Sequence, residues 1–223
     1  MSDLSSLEKN NLKLAQEKMK KAGVDPVAIN VFSKQYQSIL AGRNSVINEL
    51  DIEPVKNLAS LENIVVSDED AKNAIQKTVI VKLNGGLGTS MGLEKAKSLL
   101  KVRGDLTFLD IIARQILHAR KIFNARLPLI FMDSIYTSDD TLEYLKKYPE
   151  LAEKDLPLDF LQNFVVKLRA DNLSPIDWPT NPTLEWSPPG HGDIYTVLWS
   201  SGLLKRLIDA GYKYMHVSNS DNL

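Results

Sequence analysis

The chain contains no cysteine, which excludes disulfides, thiolate metal sites and a cysteine nucleophile and fits a reducing compartment. No apolar run approaches the roughly 20 residues a membrane span needs, and the first ten residues lack the apolar core of a signal peptide. A cytoplasmic, uncleaved protein with no membrane partner is therefore expected. Charge of one sign is also lacking: the formal net charge is -1, with lysines and arginines spread along the chain, so nucleic acid is not an expected partner. Histidine is scarce, at three residues, and no Ser-His-Asp arrangement announces covalent catalysis. What remains is small-molecule chemistry in a chain of 223 residues, 43% hydrophobic, long enough to bury a core.

The N-terminal third is helical in pattern. Leu7, Leu12, Leu14, Ala15 and Met19 recur at helical spacing over Ser5 to Lys21, ending at Gly23, and a second helix opens near Pro26 and runs through Ile29, Phe32, Tyr36 and Ile39 to Gly42. The two make a helical hairpin. Residues 43–67 have no sustained period and read as a connector, followed by a short helix near Asp68 to Gln76.

From Thr78 the pattern changes. Thr78 to Leu83 is a β-branched run of the length of a buried parallel strand, and it breaks into a glycine loop from Asn84 to Gly92. A helix at Phe108 to Asn124, a strand at Leu127 to Met132 and a helix opening near Thr137 follow. The last third holds a mixed strand signal at Phe160 to Leu168, a proline-rich stretch from Ser174 to Pro189, a helix opening at Gly190 and ending at Ala210, and a strand at Tyr212 to Val217. Alternation of this kind implies an α/β fold with a parallel sheet, helices on both faces, and ligands beyond the carboxyl ends of the strands.

The loop holds four glycines in eight positions, which lets backbone amides face an anion. It is not a P-loop, since no Gly-Lys-Ser/Thr follows, and it is one residue longer than the dinucleotide fingerprint. Lys82 precedes it, while Lys95, Lys97, Lys101 and Arg103 follow. That many cations suit a triphosphate better than a dinucleotide's diphosphate, which disfavours a dehydrogenase. His191 is expected near a helix N-terminus, where anions are favoured, whereas His118 and His216 read as structural or surface residues.

The run Lys82-Leu83-Asn84-Gly85-Gly86-Leu87-Gly88-Thr89-Ser90-Met91-Gly92, with Lys97-Ser98 downstream, closely resembles the signature of the eukaryotic-type UDP-glucose pyrophosphorylases (UTP-dependent glucose-1-phosphate uridylyltransferases). The resemblance resumes at Leu106 to Asp110, at Glu185-Trp186 with Pro188 to Asp193, and at Val217 to Leu223. It implies a Rossmann-like nucleotidyltransferase (GT-A-like) fold: a mixed, mainly parallel sheet with helices on both faces, incomplete here and preceded by the helical hairpin. It divides the chain into an N-terminal extension and connector (1–76) and the nucleotide-binding part of the catalytic domain (77–223), truncated relative to the family.

The resemblance also implies roles. Leu83, Asn84, Gly85 and Gly86 would hold the uridine and its phosphates, with Lys97 on the phosphate chain, Gln162 on the uracil edge and Gly190 facing the base. Gly85, Gly86, His191, Asn219, Ser220 and Asp221 would hold the sugar phosphate, and Asp221 would bind Mg2+. Lys97, His191 and Asp221 are thus the expected catalytic set. The reaction implied is Mg-dependent transfer of UMP from UTP to a sugar 1-phosphate, glucose 1-phosphate foremost, giving UDP-sugar and pyrophosphate. The alternative is a non-catalytic UTP- or UDP-sugar-binding fragment. An unpaired edge at the last strand favours homo-oligomers. Two departures stand out: Glu94 replaces the first lysine of the family's usual continuation, and Asp133 stands where many relatives carry Asn. Asp133 is assigned no role.

Overall fold

The computed structural model describes residues 6–43, 46–88, 92 and 95–223. Ser5, at the expected start of the first helix, and loop residues Thr89, Ser90, Met91, Leu93 and Glu94 lie outside the described residues. The chain forms two compact units, Met1–Ser67 with Phe164–Ser187, and Asp68–Asn163 with Pro188–Leu223.

In the first unit, α1 (Ser6–Lys21) and α2 (Pro26–Leu40) form the expected hairpin. Gly23, at φ +79°, turns the chain, and Asp25 then caps α2 by accepting the Val27 N–H, with Pro26 in the first turn. Leu12, Ala15, Met19, Phe32 and Tyr36 bury one face of the pair, and Val166, Phe164 and Trp186 complete the same cluster. Those last residues explain why Phe164–Ser187 joins this unit although a cut at residue 76 would leave it with the sheet. Its short strands β6 (Val165–Val166) and β7 (Trp186–Ser187) pair antiparallel. Buried Glu185 accepts from Lys18 Nζ at 2.6 Å and from the Trp178 N–H at 2.6 Å.

The second unit is the α/β part. Its sheet has the order β5-β4-β1-β8, formed by β1 (Thr78–Leu83), β4 (Leu129–Asp133), β5 (Asp159–Leu161) and β8 (Tyr214–Asn219), all pairs parallel. The alternation of each strand sends Val79, Val81, Ile130 and Met132 to one face, under α6 (Asp193–Ser200) and α7 (Leu203–Asp209). Leu129 and Phe131 go to the other, under α4 (Phe108–Phe123) and α5 (Ser138–Leu145). The short helix α3 (Asp68–Gln76) contributes Ile75 to this second face.

Three expectations are corrected. The mixed signal at Phe160 to Leu168 is two strands, β5 in the main sheet and β6 in the other unit. The long last helix is broken, because Gly202 at φ +73° separates α6 from α7. An antiparallel hairpin of β2 (Lys101–Arg103) and β3 (Leu106–Thr107) precedes α4, where no strand was expected; strands of three and two residues are too short to show a period.

Candidate active site

Parallel pairing brings the carboxyl ends of β1, β4 and β8 together, and the expected site residues follow from that register. Leu83 pairs with Asn219 and Met132, so the glycine loop after β1 lies beside the turn that follows β8. The Ser220 N–H donates to the Leu83 carbonyl at 3.0 Å, fixing the two together. Ser220 is buried, while Asn219 is exposed and Asp221 half-buried.

The loop doubles back on itself. Gly88 N–H donates to the Lys95 carbonyl and Lys97 N–H to the Gly86 carbonyl, each at 3.0 Å, and Leu87 bridges Ala96. This fold-back carries Lys97 across to Asp221, where its Nζ lies 2.5 Å from Oδ2. The hydrogen bond from Lys97 holds the Asp221 carboxyl below the usual carboxylate range, and the charge of His191 acts the same way. The N–H groups of Gly85 and Gly86 have no hydrogen-bond partner among the described residues, so they are available to an anion.

Asn84 differs from its glycine neighbours. Its N–H continues the sheet by donating to the Met132 carbonyl at 2.8 Å, and its side chain is buried against Asp133 and Thr141. That leaves it the part of a joint between loop and sheet rather than of a donor to phosphate.

Gln162 emerges from β5 with its N–H on the Asp133 carbonyl at 2.7 Å and its side chain buried over Gly85. The contact is close enough that a Cβ on Gly85 would lie 2.5 Å from Gln162 Nε2. Asn163 next to it donates from N and Nδ2 to the two Asp193 oxygens at 2.7 and 2.9 Å. Asp193 sits in the first turn of α6, directly after Gly190 (φ +102°), His191 and Gly192, so this clamp ties the Gln162 segment to the histidine turn. Gly190 and His191 are exposed. Asp193 closes the motif from Pro188, and the sequence does not single it out, because an acid in a helix's first turn reads equally as a dipole partner.

Of the basic residues around the loop, the structure gathers two. Lys82 is buried, with Nζ on the Asn222 carbonyl at 2.7 Å, and its charge is favoured by Asp221 although burial pulls its pKa down overall. Lys97 is the other. Lys95 faces Asp140 at 3.9 Å, Lys101 pairs with Asp105 at 2.7 Å, and Arg103 lines a surface groove with Arg114 and His118, so these three are not part of the set. Lys82 was visible in the sequence only as a cation before the loop; its link to the β8 turn needs the strand order.

A parallel sheet whose first strand ends in a glycine loop, with the Gly85 and Gly86 N–H groups unpaired among the described residues and Lys82, Lys97 and Asp221 beside it, defines an α/β protein with an anion-accepting carboxyl edge. The sequence model of UTP–glucose-1-phosphate uridylyltransferase matches residues 29–223. The chain belongs to that family of nucleotidyltransferases. It is 40% identical over 156 residues to the UTP–glucose-1-phosphate uridylyltransferase of Solanum tuberosum, covering 69% of this chain and 32% of that protein. It is 34% identical over 211 residues to a probable enzyme of the same name from Schizosaccharomyces pombe, covering 89% and 41%. Among solved structures, a variant of the Leishmania major UDP-glucose pyrophosphorylase in complex with UDP-glucose superimposes with a TM-score of 0.89 at 41% identity, covering 99% of this chain and 45% of that one. The chain thus spans less than half the length of these relatives.

Proposed function

We propose that this chain binds UTP and a sugar 1-phosphate, glucose 1-phosphate foremost, at the carboxyl edge of the sheet and transfers UMP between them, releasing pyrophosphate. The observation that carries the reading is the convergence on one edge of Lys82, Lys97, Asp221 and the Gly85 and Gly86 N–H groups, unpaired among the described residues. A sugar phosphate oxygen is anionic near neutral pH and can attack the α-phosphorus without a general base, so the residues' work is positioning and charge neutralisation. The Gly85 and Gly86 amides would hold phosphate oxygens, Lys97 would leave Asp221 for the phosphate chain, Gln162 would read the uracil edge, and His191 with Asn219 would hold the sugar phosphate.

Among the described residues no group of three or more His, Asp or Glu side chains could hold a metal. One half-buried carboxylate still fits magnesium, which takes one or two protein carboxylates and fills its shell with phosphate oxygens and water. In this reading Asp221 holds Mg2+, which neutralises phosphate charge when bound.

Family membership and the length relation together favour one second reading, a module that binds UTP or UDP-sugar without turnover. A cytoplasmic location belongs to the proposal, in keeping with a chain free of cysteine. No described helix is long and apolar enough to cross a membrane. Self-association through β8, at the edge of the sheet with Tyr214 and Val217 exposed, also belongs to it. Mass-spectrometric detection of UDP-glucose after incubation with UTP, Mg2+ and glucose 1-phosphate tests the main reading, with Asp221→Ala as control. Product from the wild type alone supports transfer; UTP binding without product supports the binding module.

A further inference from the structure

Asp133 ends β4 with no exposed surface, and its carboxyl meets the side-chain amide of Asn84, the first residue of the glycine loop. Among the described residues every donor that reaches this carboxyl lands on Oδ1: Asn84 Nδ2 at 2.7 Å, Thr137 Oγ1 at 3.0 Å and Thr141 Oγ1 at 3.3 Å. The Thr141 hydroxyl has one hydrogen and a shorter bond to the Thr137 carbonyl, at 2.7 Å, so Asn84 and Thr137 carry the contact. The second oxygen of each group, Asp133 Oδ2 and Asn84 Oδ1, is buried with no hydrogen-bond partner among the described residues. Two unpaired acceptors on two groups already bonded to each other is a costly arrangement. One proton removes both deficits. Placed on Oδ2, it turns the carboxyl into a donor, and a planar acid and a planar amide joined by one N–H···O bond can close a second.

We propose that Asp133 is a neutral acid that positions the nucleotide loop, its Oδ2–H donating to Asn84 Oδ1 so that acid and amide form a doubly hydrogen-bonded pair. Its surroundings agree. Asn84 faces it from the end of β1, Thr137 and Thr141 from α5 and the turn before it, and Asp159 from β5. No lysine or arginine among the described residues bonds to it, and Asp159 adds like charge. Burial pushes its pKa up to about 7 against the bonds from Thr137 and Asn84. The same joint carries both ligand-facing pieces, because Gly85 follows Asn84 and the Gln162 N–H is held by the Asp133 carbonyl. Ionisation of Asp133 removes the donor to Asn84 and loosens the loop. The pair itself stands on the geometry; its effect on nucleotide binding rests on the function proposed above.

Asp133→Asn tests the pair, since the side-chain amide it introduces can make the same two bonds and does not titrate. A folded Asp133 keeps its proton up to about pH 7, whereas an unfolded one releases it near about pH 4, so the stability it contributes falls as pH rises between those values. In urea titrations from about pH 5 to about pH 8.5, the wild type should lose stability relative to Asp133→Asn, and the variant should match it at the acid end and exceed it at the alkaline end. Equal pH dependence of the two proteins overturns the proposal. Carboxyl carbon-13 spectra of the wild type need no variant: a buried aspartate still protonated at about pH 6 supports it, and all aspartates ionised there overturns it. For the ligand, the wild-type-to-variant ratio of UTP affinities should fall about tenfold over the same span, the titration of UTP itself cancelling in the ratio. An unchanged ratio removes the positioning role. Failure of both proteins to bind UTP at any pH removes the proposed function instead, and leaves the stability comparison to decide the pair.

Discussion

Gln162 lies so close over Gly85 that any side chain at position 85 would have to displace it, the nearest approach of a Cβ being 2.5 Å to Nε2 and 2.8 Å to Cδ. The three nearest atoms all belong to the end of the Gln162 side chain, so Gly85→Ala would move the amide rather than the backbone. The expected result is a folded protein whose UTP affinity drops about tenfold, roughly 1.4 kcal/mol. Because both changes remove the same contact, Gly85→Ala combined with Gln162→Ala should cost no more than either alone in a calorimetric titration. Additive losses would separate the two residues.

The Lys97–Asp221 pair should matter to ligand and hardly to stability. Their side chains are 36% and 32% exposed, and pairs of that kind contribute about 0–1 kcal/mol. Lys97→Met should therefore shift the urea midpoint little while, on the proposed function, lowering uridylyl transfer about a hundredfold, the usual scale for one charge-neutralising donor. The pH behaviour has a definite sign. Lys97 depresses the Asp221 pKa in the folded state, so what the pair contributes is present above the ordinary carboxylate value and is lost as pH falls through the depressed one, below about pH 4. A stability loss centred near neutral pH that disappears in Lys97→Met would contradict this account.

The placement of motif residues is legible in the sequence wherever one strand and the loop that follows it fix their position at the sheet's carboxyl edge. The motif points to both Lys97 and Asp221, and the structure pairs them at 2.5 Å; the glycine spacing points to backbone amides, and those of Gly85 and Gly86 are unpaired among the described residues. Partnerships that depend on strand order were not legible. Lys82 reaches Asn222 only because β1 lies beside β8, and Asn163 reaches Asp193 only because β5 ends near the start of α6. The resemblance implies that Asn84 meets the ligand with its neighbours, whereas β1 beside β4 commits its N–H to the Met132 carbonyl. The helix pattern also runs through its break, since Gly202 within an otherwise periodic stretch does not by itself announce a left-handed residue.

Asp110 explains a motif that the site does not use. Thr107 and Asp110 form a capping box at the start of α4, and the same buried carboxylate accepts from Tyr144 Oη at 2.6 Å, Tyr148 Oη at 2.7 Å and Lys147 Nζ at 2.6 Å. Burial alone would raise its pKa, but the bonds from Lys147, Tyr144, Thr107 and Tyr148 win and hold it far below the usual range. Asp110→Ala leaves those donors without their acceptor and should destabilise the fold by about 3 kcal/mol, read by urea denaturation. A loss below about 0.5 kcal/mol, the level of an ordinary surface change, would show that the network is dispensable.

The most direct measurement is calorimetric titration of UTP into the purified 223-residue chain in the presence of Mg2+, with NADH titrated in parallel. Saturable binding of UTP at one site, weakened by Gly85→Ala and absent for NADH, is the result predicted. A folded chain that takes up no UTP, or that binds NADH in its place, would contradict the assignment of the carboxyl edge to a uridine nucleotide.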